Sequence, residues 1–77
     1  MKLSILTIDK ALFEGEAVSV SVPGIYGRLQ ALEHHIPLIT ALKKGSIRVE
    51  TQKGLEEFEV ENGVLEIKPD EINILVS

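Results

Sequence analysis

Glycine and proline divide this chain into short segments of nearly even length. Six glycines and three prolines are distributed along 77 residues, so a turn signal recurs about every nine residues. This spacing is typical of short strands in a sandwich or barrel, whereas helices need longer uninterrupted stretches. No linker, internal repeat or low-complexity stretch divides the sequence. We therefore expect residues 1–77 to form a single all-β domain.

Alternating apolar residues mark the strands. Residues 17–22 place three valines on one face and small polar residues on the other, which is the period-2 pattern of a half-buried strand. The same alternation recurs in residues 47–49 and 72–76, although Leu75 makes the last segment partly apolar on both faces. The apolar positions of residues 3–8 change phase midway, which predicts a bend, a bulge or cover on both sides.

Asn62-Gly63 is the strongest two-residue turn signal, because a type I′ turn needs positive φ at both positions. A hairpin closed there brings four apolar side chains to one face, in the pairs Val60–Leu65 and Phe58–Ile67. We expect the opposite face to be wet, with Glu59 facing Glu66 at a small like-charge cost.

Residues 23–37 contain signals for turns. Gly24-Ile25-Tyr26-Gly27 follows Pro23 and is too short for a dinucleotide fingerprint, so we expect a tight turn between two strands. Helical spacing occurs only from Arg28 to Ile36, and Pro37 disfavours helical geometry at the residue before it. We expect a loop or a single turn over that stretch.

The composition excludes several classes of protein. The chain has no cysteine, which excludes a disulfide scaffold and a thiolate metal site. No apolar run approaches the roughly 20 residues that span a membrane, so we expect no direct membrane insertion. Residues 1–49 hold six basic and four acidic residues, whereas residues 50–77 hold two and eight. Lysine and arginine are not clustered as phosphate backbones require, so we expect no nucleic-acid partner.

Few residues are candidates for metal binding or catalysis. Glu33, His34 and His35 are consecutive, and neighbouring side chains of an extended chain point to opposite sides, so they converge on one ion only with strain. We favour loop or interface histidines over a small metal-dependent enzyme built on these three residues. The serines lack a nucleophile-elbow pattern, and we expect Glu57, Glu59 and Glu61 on the wet face of the hairpin, unlike a general acid. We expect no catalytic residue, metal, cofactor or small-molecule substrate.

Several short motifs in a fixed order resemble one known family. They are Pro-Gly-x-x-Gly at residues 23–27, His-x-Pro-Leu-Ile-Thr at residues 35–40 and Gly-Ser-Ile-Arg-Val at residues 45–49, flanked by Phe13-Glu14-Gly15 and by Asn62-Gly63-Val64-Leu65-Glu66-Ile67. Together they cover nearly the whole chain. The sequence resembles the N-terminal domain of the epsilon subunit of F-type ATP synthases.

This resemblance implies a single small flattened β-sandwich of short antiparallel strands over residues 1–77. It also implies two partners, the gamma subunit and the membrane ring of c subunits, and a mechanical role in coupling ring rotation through gamma to ATP synthesis. Such a subunit is not an enzyme by itself, and we expect it at the cytoplasmic face of a bacterial inner membrane. The family's ring contact maps to a putative loop made of Gly27, Arg28, Leu29, Glu33, His34 and His35.

Long members of the family continue into a C-terminal helical hairpin, which in some bacteria inhibits ATP hydrolysis and binds ATP. This sequence stops at Ser77, where the sandwich is expected to end, so we expect a short form without inhibition by that route. The alternative hypothesis is a free-standing β-sandwich interaction module that uses its acidic face to bind a basic protein partner.

Overall fold

The computed structural model describes residues 1–32 and 36–77. Within those ranges the chain forms nine strands and no helix. The strands are β1 (Lys2–Leu6), β2 (Ala11–Glu16), β3 (Ser19–Gly24), β4 (Gly27–Ala31), β5 (Leu38–Leu42), β6 (Gly45–Thr51), β7 (Gly54–Val60), β8 (Gly63–Ile67) and β9 (Glu71–Val76).

The strands form one continuous sheet in the order β2-β1-β9-β8-β5-β3-β6-β7, with β4 added beside β3. The predicted all-β sandwich is confirmed, but its strands are not all antiparallel, because β1 and β9 pair in parallel. These two strands stand at opposite ends of the chain. No hairpin fixes their relative direction, and the long connection between them permits either one.

The sheet folds over where β5 passes into β6. Strand β5 pairs with β8 along its whole length and touches β3 only at its end, where Leu42 lies opposite Gly24. Lys43 N then donates to Pro23 O at 2.9 Å, and β6 continues beside β3. The first half of the sandwich is β2, β1, β9, β8 and β5, and the second half is β4, β3, β6 and β7.

Both halves turn their inner faces toward one hydrophobic core. Its eight largest fully buried side chains come from five strands: Leu3, Ile5, Val20, Val22, Ile47, Val49, Leu65 and Ile74. At the two ends of the sheet, Phe13 of β2 meets Phe58 of β7 edge to face, with ring centroids 6.4 Å apart. This aromatic contact closes the seam between the outermost strands.

Most predicted alternation is confirmed. The inward-facing residues of segments 47–49 and 72–76 are buried, and in residues 17–22 only Val18, which precedes β3, is exposed. The phase change in residues 3–8 is not a bulge in β1, which pairs with β9 in unbroken register from Lys2 to Leu6. The irregularity of the β1–β2 pair lies in β2, where Leu12 is the extra residue between the partners of Ile5 and Leu6.

The predicted Asn62-Gly63 hairpin is wrong. Strand β7 pairs with β6, whereas β8 pairs with β5 and β9, so the two strands lie in different halves. Gly63 does not have the positive φ that a type I′ turn would need. Glu59 therefore lies opposite Ser46, while Glu66 lies between Ile39 and Asn73.

The predicted tight turn at Gly24–Gly27 is confirmed, because β3 ends and β4 begins with these two glycines paired. The loop predicted from Arg28 onward is wrong over its first residues. Gly27–Ala31 forms β4, which pairs with β3 from Gly24 back to Val20. Cross-strand hydrogen bonds and the inward burial of Ala31 outweigh the weak local signals there.

Candidate functional site

The outer face of the first half carries a continuous apolar row. Leu6 lies opposite Leu75, Leu75 opposite Val64, and Val64 opposite Ala41. Ile39 lies two residues before Ala41 on the same side of β5 and is 69% exposed. We call Leu6, Ile39, Ala41, Val64 and Leu75 the apolar face. Side chains directly opposite on neighbouring strands touch, so the row forms one surface.

The apolar face continues into an open groove at one end of the sandwich. The groove, of about 590 Å³, is lined by residues of the face and by the fully exposed Ile8. Ile8 belongs to a turn in which Thr7 N donates to Lys10 O at 2.8 Å. The Ile25-Tyr26 turn lies at this same end, since Ile25 N donates to Ala41 O. We call this the turn end.

The outer face of the second half is polar. A row of the same construction crosses its four strands, from Gln30 to Ser21, Arg48 and Glu57. Arg48 Nε donates to Glu57 Oε2 at 2.8 Å. We call Ser21, Arg28, Gln30, Arg48 and Glu57 the polar face. Several of its groups are thus hydrogen-bonded within the chain.

Arg28 lies across the polar face and does not project from it. Its Nε donates to Ser21 Oγ at 2.8 Å, and its Nη2 donates to Ser46 O at 2.6 Å. A guanidinium presents several donors in a fixed fork, which suits it to bridge two acceptors on neighbouring strands. The side chain therefore ties β4 to β3 and β6.

Of the residues predicted for a ring contact, Gly27, Arg28 and Leu29 belong to β4. Gly27 lies exposed at the turn end, whereas Leu29 points inward and packs against the core. Ala31 closes the strand about 13 Å further along the sandwich, at a rise of about 3.3 Å per residue. Glu33, His34 and His35 lie outside the described residues. The three described residues are neighbours in the chain, but they lie at the turn end, on the polar face and toward the core, so they do not form one surface.

An apolar cavity of about 300 Å³ opens between β4 and β5, and Leu29 is part of its lining. The other lining residues are Val20, Val22, Gln30, Ala31, Ile36, Leu38, Leu65 and Ile67. The cavity is an extension of the core between the two halves, bounded mainly by inward-facing side chains.

Sequence reasoning missed the apolar face. The available signals were the apolar character of Leu75 on the second side of its strand and the apolar run from Leu38 to Leu42, which only Thr40 interrupts. In residues 1–32 and 36–77 no group of three or more His, Cys, Asp or Glu side chains could hold a metal ion. Over the same ranges no helix is long and apolar enough to cross a membrane.

Two solved structures of ATP synthases contain the same sandwich. One is the Euglena gracilis mitochondrial ATP synthase OSCP/F1/c-ring, where a chain 17% identical aligns with a TM-score of 0.88 over 96% of this chain and 48% of its own length. The other is the central stalk and c-ring of Tetrahymena thermophila mitochondrial ATP synthase, at 12% identity and a TM-score of 0.84, over 97% of this chain and 61% of that one. The fold is therefore one that occurs in these assemblies.

Family membership rests on the sequence itself. The family model for the β-sandwich domain of the ATP synthase delta/epsilon chain matches residues 1–77. The chain belongs to this family, as the resemblance in its motifs predicted. It spans about half of one solved chain and three fifths of the other.

Proposed function

We propose that this protein is an epsilon-type subunit of the central stalk of a rotary ATP synthase. In this role it binds the gamma subunit and the membrane ring, and helps carry the rotation of the ring through gamma to ATP synthesis. The single observation that carries the proposal, beyond family membership, is the apolar face.

The apolar face has the chemistry of a protein interface. Ile39, Val64 and Leu75 are each at least 45% exposed, although the inner face of the same strands already supplies the core. Complete burial of one such side chain is worth about 1.5–3 kcal/mol, and contiguous exposed apolar surface marks interaction sites. We assign this face to gamma, because a rotor body needs a contact that is held throughout rotation.

The ring contact belongs to the turn end in this proposal. Tyr26 is 95% exposed there, and Gly27, the first residue predicted for the contact, follows it directly. Arg28 is held against the polar face by its hydrogen bonds to Ser21 and Ser46. It therefore supports the ring contact by fixing β4 against β3 and β6. Leu29 supports β4 from inside, and Glu33, His34 and His35 enter the proposal through the sequence alone.

This role is mechanical and needs no catalytic residue. Torque transmission requires a stiff body and two specific interfaces, and a sandwich with one shared core supplies the body. The protein then lies peripherally on the membrane that holds the ring. In a bacterium this location is the cytoplasmic face of the inner membrane.

The test compares one substitution on each outer face. Leu75→Lys places a charge in the apolar face, and Leu55→Lys places the same charge on the outer side of β7, where Leu55 lies opposite Glu50. The two leucines are similarly exposed, at 58% and 64%, so both variants are expected to fold. Binding to the purified gamma subunit from the same organism, measured by calorimetry, is expected to weaken at least about tenfold for Leu75→Lys and less than about twofold for Leu55→Lys.

Two results contradict the proposal. A wild-type protein that does not bind gamma, and is not needed to attach gamma to the ring, favours a free-standing interaction module. Equal weakening by both variants refutes the assignment of the apolar face to gamma while leaving the binding itself intact.

A further inference from the structure

The two outermost strands, β2 and β7, lack apolar side chains at positions that lie opposite buried core residues. On β2, Gly15 lies opposite the buried Leu3, and on β7, Glu56 lies opposite the buried Val49. Directly opposed residues share a face, so both positions turn inward. Gly54, two residues before Glu56, occupies another inward position. Two glycines and a carboxylate thus stand where core residues are expected.

An open cleft of about 810 Å³ lies between the two outermost strands, and Gly15 and Glu56 belong to its lining. A methyl group added at Gly15 would come no nearer than 3.9 Å to the Phe13 ring, and one added at Gly54 would meet no atom within 4 Å. The cleft runs along the seam until the Phe13–Phe58 contact closes it. From Gly54 to Phe58 that distance is about 13 Å, or four strand residues.

Both walls of the cleft are sheet edges. Among the described strands, β2 pairs only with β1, and β7 pairs only with β6. Each therefore presents a row of backbone N–H and C=O groups without strand partners, which an extended segment of another chain can use. The cleft offers such a segment a place for one inward-pointing side chain.

The charges around the cleft determine which segment fits. Glu56 lines the cleft with Glu14 and Glu16, and its carboxylate has no hydrogen bond or ion pair with the described residues. Two cations stand in the same lining, Lys53 and the ammonium of Met1, and the ammonium pairs with Glu16 Oε1 at 3.3 Å. This pairing leaves Glu14 and Glu56 against Lys53, so the cleft keeps an excess of negative charge. A second copy of this chain brings another acidic edge, so like-charge repulsion disfavours self-pairing. A cationic segment meets complementary charge.

We propose that this cleft docks an extended cationic segment of a partner protein. One lysine or arginine side chain enters beside the Phe13 ring, where its aliphatic stem packs, and its cationic head pairs with Glu56. The backbone of the segment extends along the outer edge of β7. The cleft lies at the opposite end of the sandwich from the Ile25-Tyr26 turn, so this site goes beyond the proposed contacts with gamma and the ring.

The experiment uses the whole 77-residue chain and a defined probe. The probe is a capped hexapeptide of alternating lysine and valine, and its glutamate–valine counterpart is the control. Two-dimensional amide NMR with ¹⁵N-labelled protein locates binding, and fluorescence anisotropy measures it. We expect shifts and amide protection confined to β2, β7 and the turn between β6 and β7. Glu56→Lys is expected to weaken binding about tenfold or more, and Glu56→Gln less.

The matched control is Glu59→Lys on the same strand. Glu59 lies opposite Ser46 on the outer side of β7. Glu59→Lys therefore changes the net charge as much as Glu56→Lys does, but its side chain does not enter the cleft. Its expected effect is below about threefold. Absence of lysine–valine peptide binding, equal binding of the glutamate–valine peptide, equal weakening by both lysine variants, or shifts centred on the apolar face would each overturn the proposal. None of these results bears on gamma binding, which the Leu75→Lys comparison tests separately.

Discussion

The two outer faces of this sandwich are built by the same strand geometry and carry opposite chemistry. Each has a row of four directly opposed side chains across four strands. The rows are Leu6, Leu75, Val64 and Ala41 in the first half, and Gln30, Ser21, Arg48 and Glu57 in the second. Behind both rows lies the same core, so the difference between the faces does not arise from the fold.

The difference shows which face has side chains that are already hydrogen-bonded within the chain and which face exposes hydrocarbon to water. On the polar face, Arg28 bonds to Ser21 and Ser46, and Arg48 pairs with Glu57, so these groups have partners within the chain. The side chains of the apolar face are hydrocarbon and make no such bonds, and Ile39, Val64 and Leu75 are each at least 45% exposed. A partner that covers the apolar face removes exposed hydrocarbon from water, whereas one that covers the polar face competes with bonds already present.

The largest expected effect tests whether the two halves share one core. Ile74→Ala in the first half and Ile47→Ala in the second each remove a fully buried side chain. We expect each to lower the free energy of unfolding by about 2–5 kcal/mol, with one cooperative transition in both variants. Urea denaturation followed by circular dichroism and by amide NMR measures this.

The two halves would have to be treated as separate units if either variant unfolded in two steps. The same conclusion follows if Ile74→Ala alone released the amides of the first half. Should the alanine variants not fold at all, Ile74→Val and Ile47→Val offer the same comparison at a cost of about 0.5–1.5 kcal/mol.

The sequence predicted strands better than it predicted their partners. Alternation identifies which residues of segments 47–49 and 72–76 face inward, because burial imposes a period of two whichever strand lies beside them. The error at Asn62-Gly63 has the same origin. Pairing Val60 with Leu65 matches the pattern locally, but Val60 faces the core from the second half and Leu65 faces it from the first. Periodicity cannot tell which half a strand joins.

The candidate sites were harder to predict, because each is assembled from separate segments. The apolar face combines residues from β1, β5, β8 and β9, and no one segment shows it. The cleft is lined by Gly15 and Glu56 together, and these residues belong to the first and last strands of the sheet order. For the ring contact, the family motif marks Gly27 to His35, but Gly27–Ala31 forms β4, in which successive side chains point to opposite faces.

A smaller effect is expected from the bonds that hold the polar face. Arg28→Ala removes the donors to Ser21 and Ser46, and we expect it to lower stability by about 0.5–1 kcal/mol because these bonds are exposed. Arg28→Lys keeps the charge without the fork and should recover only part of the loss. Chemical denaturation gives the values.

The control for Arg28 comes from both faces. Gln30→Ala changes a residue on the same strand as Arg28, and Ile39→Ala truncates an exposed side chain of the apolar face. Each should change the free energy of unfolding by less than about 0.5 kcal/mol. A loss at Ile39 as large as that at Arg28 would mean that the apolar face supports the fold itself, and its assignment to a partner would lose its main argument.

The smallest effect concerns the ion pair of Arg48 and Glu57. Both side chains are about half exposed, at 51% and 52%, so water screens the pair despite its 2.8 Å separation. We expect a double-mutant cycle with Arg48→Ala and Glu57→Ala to give a coupling of about 0.2–0.5 kcal/mol at low salt. Raising the salt to about 1 M, where the Debye length is about 3 Å, should reduce it toward zero.

Salt also separates the two faces in binding. Association through the apolar face should persist at about 1 M salt, because burial of hydrocarbon does not depend on charge. A coupling between Arg48 and Glu57 that stays unchanged in high salt would show that the polar face is shielded from water. If gamma binding were lost in high salt, the contact would be electrostatic, and the polar face would be the better candidate for it.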